Sequence, residues 1–525
     1  MGTNTIGELL SRACRRFSSR VAVVAHGRSL TYGALLERAS RLSNALSGAG
    51  LRPGDRIAAM LEDRTESLEV YLASAIGGFP IVHVNDRLAA PEVAHIVRDA
   101  GVAAFIHTDG RSAAVSGVDG LSGLQLFSCI GTDRPSGAVG YEELLGAARP
   151  QAALAPRAAE DLAIVGYSSG TTGFPKGAMI SQSALTSYVK LLPAMYRISP
   201  YGRCAFTGTL SFVAGIWGVI YPHLYMGGTI TFLHPYTPDS WVAHLEQDRS
   251  TFTYAPSPLV PAFIEAVDRR PGALNSLESV LHSASPLPRE HAEELVGRIG
   301  DRYVEVWGMT EGVAPFSATT REDWRGTSGA RDIFTSAGRP FPITTVRSLG
   351  PDGQVLAAGE QGELVVDSEI LFSGYLGDTE LTAASFSPLG FHTGDVGALD
   401  EQGYVYVTGR KKDMIISGGM NVYPAEVEAA LTSLYGVAEC CAFGMPDQRW
   451  GEAVAVAVVA APGATLAARD VIDHVQRRLA SYKKPSLVYF VDALPRNASI
   501  KVRKDELRSL VAEGSLDGAA TGGYN

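Results

Sequence analysis

The chain has 525 residues, 46% of them apolar and 19% charged, with a formal net charge of −10. This length exceeds one ordinary core and predicts at least two folding units, and the composition excludes a disordered or fibrous chain. The acidic balance, without any Lys/Arg run, argues against nucleic acid or an anionic membrane as partner.

The five cysteines, Cys14, Cys129, Cys204, Cys440 and Cys441, form no CxxC pair. They predict neither a disulfide framework nor a zinc site and fit a reducing, cytoplasmic setting. The first residues lack a signal-peptide apolar core, and no apolar run is long enough to span a bilayer.

In chain order, Ser29-Leu-Thr-Tyr begins a capped helix whose apolar residues recur at helical spacing. Gly54-Asp55 is a turn before a strand that starts at Arg56. Helix Ser67–Ile76 and strand Ile81–Val84 follow. Strands alternating with helices predict a mostly parallel, doubly wound sheet. A second such stretch runs from about 180 to 310, with strands starting at Thr229, Thr251 and Ser279. Between 335 and 410, turn pairs such as Asp352-Gly353 and Gln402-Gly403 break short β runs, which predicts a small antiparallel barrel or sheet. Past Arg410, helix Pro424–Thr432, strands Ala438–Phe443 and Val454–Val459, helix Ala467–Ala480 and strand Leu487–Val491 predict a compact α+β unit. The boundary falls near Lys411–Lys412, giving domains 1–411 and 412–525, and the Gly-rich tail from Gly514 is expected to be disordered.

The densest chemical signal is Tyr167-Ser-Ser-Gly-Thr-Thr-Gly-Phe-Pro-Lys-Gly177, after the apolar strand that begins at Leu162. A polyphosphate needs many short donors on a backbone that it can approach closely. Gly170, Gly173 and Gly177 permit that approach, Ser168, Ser169, Thr171 and Thr172 supply hydroxyls, and Lys176 supplies a point charge. The spacing differs from the P-loop pattern. A solvated Ser/Thr/Gly loop is the alternative.

This segment resembles the signature of the adenylate-forming superfamily of acyl-CoA synthetases, adenylation domains and luciferases. Five further segments follow in the order of that family, and the likeness spans almost the whole chain. Val306-Trp-Gly-Met-Thr-Glu311 resembles its aromatic-Gly-x-Thr-Glu motif. The resemblance implies that Trp307, with Gly308 and Met309, packs the adenine, that Thr310 reaches the α-phosphate and that Glu311 holds Mg²⁺. Ser283, Ala284 and Ser285 stand at the family's adenine segment. Asp395 of His392-Thr-Gly-Asp395 would accept from both ribose hydroxyls, joined by Arg410. Lys412 falls at the hinge of the smaller, mobile domain.

Met414-Ile-Ile-Ser-Gly-Gly-Met-Asn-Val-Tyr-Pro is similar to acyl-CoA synthetases. There Gly418 and Gly419 would let the pantetheine arm of coenzyme A pass, and Trp450 would stack on the CoA adenine. Lys501, in Leu494-Pro-Arg-Asn-Ala-Ser-Ile-Lys501, matches the adenylation lysine, which neutralises charge where carboxylate and α-phosphate meet. The acyl pocket falls on Phe212, Val213, Gly215 and Ile216, on Ser283 to Ser285, and on Gly312 and Val313. It carries no Asp to hold an α-amino group, so it predicts a hydrophobic acid, aryl or polycyclic, rather than an amino acid.

The expectation is therefore an α/β protein of two doubly wound subdomains plus a small β-barrel, with a mobile α+β C-terminal domain. Its substrates would be a carboxylic acid, ATP and CoA, its nucleotide product AMP, and its assembly a homodimer. The chain departs from the family pattern at Ile500, where Gly usually precedes the lysine, at Phe212, where many CoA ligases place His, and at Ser283-Ala-Ser, where Gly-Gly-Ala is usual. These departures keep three alternatives open: thioester formation from preformed acyl-adenylate, loading of a carrier protein, and a non-catalytic binding module.

Overall fold

The computed structural model describes residues 5–520 except 169–174, 234–235, 284–286, 314, 327–329, 331, 498–500 and 517. Its first sheet has seven strands, ordered Val139–Gly140, Leu126–Ile130, Ala104–Thr108, Ile57–Met60, Ile81–His83, Leu162–Ser168 and Lys176–Ser181. All neighbours are parallel except the last pair, which runs antiparallel. Helices cover both faces, so strands such as Ile57–Met60 are buried at every position and read as continuous apolar runs.

The second sheet has nine strands, ordered Arg339–Pro340, Ser317–Ala318, Tyr303–Trp307, Ser279–His282, Phe252–Tyr254, Arg203–Phe206, Thr229–Phe232, Val21–Ala25 and Arg28–Thr31. The last two come from the start of the chain: Val23 pairs in parallel with Ile230. The helix expected from Ser29 starts at Tyr32 instead. Thr31 ends the strand and caps the helix, its hydroxyl accepting from the Ala34 N–H at 3.2 Å.

A small antiparallel sheet follows, with Thr344–Leu349, Gly362–Ser368 and Gly390–Leu399 in sequence, and Phe386–Ser387 and Val405–Arg410 both paired to Gly390–Leu399. The smaller C-terminal domain packs helices Pro424–Thr432 and Ala468–Gln476 against one face of its sheet, with Val427, Val456, Val471 and Val475 in one apolar cluster. Its tail departs from the expected disorder: Gly518–Ala520 adds an edge strand to Leu487–Phe490, because that edge would otherwise present unpaired backbone groups. Among the described residues no helix is long and apolar enough to cross a membrane. Cys14, Cys129, Cys204, Cys440 and Cys441 are all free thiols.

Candidate active site

The C-terminal ends of strands from the two large sheets come together, Gly166 of the first lying against Thr310 beyond the end of a strand of the second, and strand ends of this kind are where α/β sheets ordinarily bind ligands. Of the expected phosphate loop, Ser169, Gly170, Thr171, Thr172 and Gly173 lie outside the described residues, as do Ala284 and Ser285 of the adenine segment. The strands flanking the loop are described, and they set Ser168 opposite Lys176. Gly166, two residues before Ser168, is a point of close approach. A Cβ there would stand 2.8 Å from Thr310 Cγ2 and 3.0 Å from the Trp217 ring, so only Gly lets the loop strand reach Thr310.

Lys176 and Glu311 are linked by a residue that sequence reading missed. The Tyr375 hydroxyl donates to Glu311 Oε1 at 3.0 Å, and the Lys176 ammonium lies 6.0 Å from the centre of the Tyr375 ring. The backbone of Tyr375 bridges to Ala178. Burial, and then the Glu311 carboxylate, raise the Tyr375 pKa, so the phenol stays a donor. Glu311 itself is 8% exposed. Among the described residues no group of three or more His, Cys, Asp or Glu could hold a metal ion unaided.

Asp395 stands directly across the antiparallel ladder from Arg410. Arg410 Nε meets Asp395 Oδ1 at 2.7 Å. The Trp307 indole N–H donates to Oδ2 at 2.8 Å. Burial pushes the Asp395 carboxyl above its ordinary pKa, while Arg410, the indole and Lys501 pull it down. The Trp307 ring is largely buried and tilts at 59° against Phe316. The base-side and sugar-side segments expected from the sequence are thus one hydrogen-bonded unit. Gly308 and Met309 complete the turn between Trp307 and Thr310, with Met309 packed on the main core.

Lys501 arrives from the C-terminal domain on a tight reversal. Arg496 bridges to Val502, and the Asn497 N–H donates to the Lys501 carbonyl at 2.9 Å. Lys501 is an exposed residue, yet desolvation around its ammonium lowers the pKa from that of an ordinary lysine. Arg410 and Lys412 push the same way, while Asp395 and Glu311 oppose them. Lys501 therefore shares one electrostatic environment with Arg410, Asp395 and Glu311.

The expected acyl wall follows strand Arg203–Phe206. Phe212 leads a helical turn in which Val213 and Ile216 are buried and Gly215 is partly so. This loop is held by carboxylates beneath it. Asp63 Oδ1 accepts from the Leu210 N–H at 2.8 Å, and the Ser211 hydroxyl donates to Asp86. His83 Nε2–H donates to the Ser211 carbonyl at 2.9 Å while Nδ1 accepts from Tyr71 at 2.6 Å, and burial holds that ring neutral with a pKa of about 4. Gly312 and Val313 form the facing segment. Val313 is fully buried at φ +54°, a left-handed conformation that strains a β-branched residue.

Gly418 and Gly419 form a separate cluster with Trp450. They make the two-residue turn between Ile415–Ser417 and Met420–Val422, both at positive φ, as this hairpin type requires. The Gly418 N–H donates to the Trp450 carbonyl at 2.7 Å, and a Cβ on Gly418 would stand 2.8 Å from the indole. The Trp450 ring is 42% exposed, and the Arg449 guanidinium lies 4.7 Å from its centre. Lys412 lies in the single turn Lys411–Asp413, at the boundary expected from the sequence, and its neighbour Lys411 pairs with Glu363 at 2.9 Å.

Residues 10–376 match the model of the AMP-binding enzyme family, and residues 426–501 match its C-terminal domain. A feruloyl-CoA synthase of Amycolatopsis sp is 34% identical, over 94% of this chain and 96% of its own length. An indoleacetate–CoA ligase of Aromatoleum aromaticum is 33% identical, over 97% and 98%. The crystal structure of ATP-bound MatB from Rhodopseudomonas palustris superposes with a TM-score of 0.87 at 28% identity, covering 96% of this chain and 99% of that one. With both family models matched and relatives above 30% identity covered almost end to end, this chain belongs to the AMP-binding enzyme family.

Proposed function

We propose that this enzyme is an AMP-forming acid–thiol ligase that joins a hydrophobic, aryl-type carboxylic acid to coenzyme A. The observation that carries this reading is the unit in which Asp395 accepts from the Trp307 indole on one oxygen and pairs with Arg410 on the other, with Lys501 of the small domain close enough to act on that carboxylate electrostatically. In the first step the acid's carboxylate oxygen attacks the α-phosphorus of ATP and pyrophosphate leaves. The carboxylate is already a nucleophile, so proximity and charge cancellation carry the step. Lys501 neutralises the approaching anions, Thr310 holds the α-phosphate, Lys176 and the hydroxyls of residues 168–172 hold the outer phosphates, and Asp395 and Arg410 hold the ribose.

Glu311 is the carboxylate suited to Mg²⁺, which commonly takes one or two carboxylates plus phosphate oxygens. When bound, the ion would neutralise phosphate charge beside Lys176.

In the second step the CoA thiol attacks the acyl carbon and AMP leaves. Domains 1–411 and 412–525 turn relative to each other about Lys412, withdrawing Lys501 and presenting Gly418, Gly419 and Trp450 to CoA. The exposed Trp450 ring, backed by Arg449, suits stacking on the CoA adenine. Phe212 and Gly215 keep surface for the acid, and Val213, Ile216, Gly312 and Val313, buried behind them, give the wall its apolar shape. The names of the two aryl-acid relatives support an aryl substrate. The family likeness also implies a cytoplasmic homodimer, a point that light scattering and fractionation decide.

The test is mass spectrometry of products from a panel of aryl, polycyclic and fatty acids with ATP and Mg²⁺, with CoA or a carrier protein as acceptor. Acyl-CoA formed in step with AMP supports the reading. Acyl transfer only from synthetic acyl-adenylate would favour the enzyme that forms thioester alone.

A further inference from the structure

Strands Phe252–Tyr254, Ser279–His282 and Tyr303–Trp307 are parallel neighbours, and a polar chain crosses their ends. His282 is fully buried and stands opposite Glu305 in register. Its Nδ1–H donates to Glu305 Oε2 at 2.7 Å, and its Nε2 accepts from the Ser257 hydroxyl at 2.7 Å. The Tyr303 hydroxyl donates to the same carboxylate oxygen. The partners set the tautomer, because an ionised carboxylate can only accept.

Strand alternation puts His282 with Val280, and Glu305 with Tyr303, on the sheet face that packs against Trp241 and Phe263. Leu281 and Val306 face the other way, into the main core. The chain therefore lies behind the acyl wall rather than in it, and with its side chain fully buried His282 has no surface for substrate.

What it holds is the pair of segments assigned to adenine. Ser283 follows His282 directly, and Trp307 is two residues past Glu305. From the opposite face the Tyr254 hydroxyl donates to the Ser283 carbonyl at 3.4 Å. Ser283 is thus fixed on one side through its neighbour His282 and on the other through Tyr254. Trp307 is fixed through the strand that Glu305 anchors.

We infer that His282 and Glu305 are positioning residues for base recognition, tying adjacent strand ends so that the Ser283 backbone and the Trp307 indole keep one separation. The inference rests on the adenylate-forming reading above. It also gives a physical role to a histidine that the sequence motifs leave unused.

The test is calorimetric binding of Mg-ATP and Mg-GTP to the full chain and to H282A, E305A and E305Q. The expected result is a preference for ATP that collapses in H282A and E305A, with the Kd for ATP raised at least tenfold. E305Q keeps an oxygen for the imidazole N–H and should recover most of the affinity. E305Q keeps, and E305A lacks, the methylene and carboxamide that reach His282, so their comparison decides the matter even if H282A does not fold. An unchanged ATP-to-GTP ratio in both alanine variants overturns the inference. So does an E305Q as weak as E305A, which would show that the hydrogen bond to His282 is not what sets the binding. If the wild type binds no adenine nucleotide, the adenylate-forming reading falls, and this inference with it.

Discussion

Trp307 and Asp395, 88 residues apart in sequence, share a hydrogen bond of 2.8 Å between the indole N–H and carboxylate Oδ2. The other oxygen is held by Arg410. Each oxygen keeps acceptor capacity for one ribose hydroxyl, in the orientation that these two donors impose. Replacing Trp307 by Phe keeps a ring but removes the donor. A hydrogen bond to a charged group contributes about 1.5–3 kcal/mol, so KM for ATP should rise about tenfold or more, read by steady-state pyrophosphate release. An unchanged KM would show that Arg410 alone orients Asp395.

On the proposed mechanism Lys501 should set the alkaline limit of adenylation. Its lowered pKa means that the free enzyme loses the ammonium at lower pH than an ordinary lysine would. Bound phosphate favours the charged form, so adenylation should fall as pH rises through that lowered pKa. Lys501→Arg keeps its charge at any accessible pH. The pH profile of the variant, whatever its absolute rate, should lack this alkaline limb. If both profiles fall together, another group titrates.

Asp63 affects stability in the opposite pH range. Burial, reinforced by Asp86 and Glu62, raises its pKa to about 7, above the unfolded value. Between about pH 4 and 7 the native state then binds more protons than the unfolded chain, so this group makes stability fall as pH rises, and the loss is complete above pH 7. Asp63→Asn can still accept from Leu210 without the buried charge. It should gain about 4 kcal/mol at pH 8 and little at pH 4, measured by urea unfolding at the two pH values. Equal effects at both would rule out this titration.

Gly418 separates the two half-reactions. An added methyl meets both the Trp450 indole at 2.8 Å and a backbone φ of +58°. Gly418→Ala should slow thioester formation at least tenfold, while pyrophosphate release without CoA stays within about threefold. Quenched-flow assays of the separate steps check this. Equal losses in both steps would place the turn outside the CoA path.

Most of the candidate site residues were readable because they sit in short contiguous strings at strand ends. Asp395, Arg410, Trp307 and Lys501 each carry their signal in adjacent residues, and the fold only had to bring them together. Tyr375 was not readable, since Phe372-Ser-Gly-Tyr375 has no pattern of its own and its role exists only through Glu311 and Lys176. The same holds for Val21–Ala25, whose parallel partner lies some two hundred residues further on, and for Gly518–Ala520, whose composition suggested disorder until a sheet edge was available to it. Local propensity cannot foresee a partner that arrives from elsewhere in the chain.

The register that faces Asp395 with Arg410 has a mechanical consequence. Arg410 is the last residue of its strand, and Lys411–Asp413 begins with the next. The proposed sugar clamp and the proposed interdomain joint are therefore consecutive links of one ribbon. On that reading a nucleotide that tightens the clamp would stiffen the axle on which the small domain turns, and its departure would slacken that axle, gearing turnover to swivelling without any messenger between them.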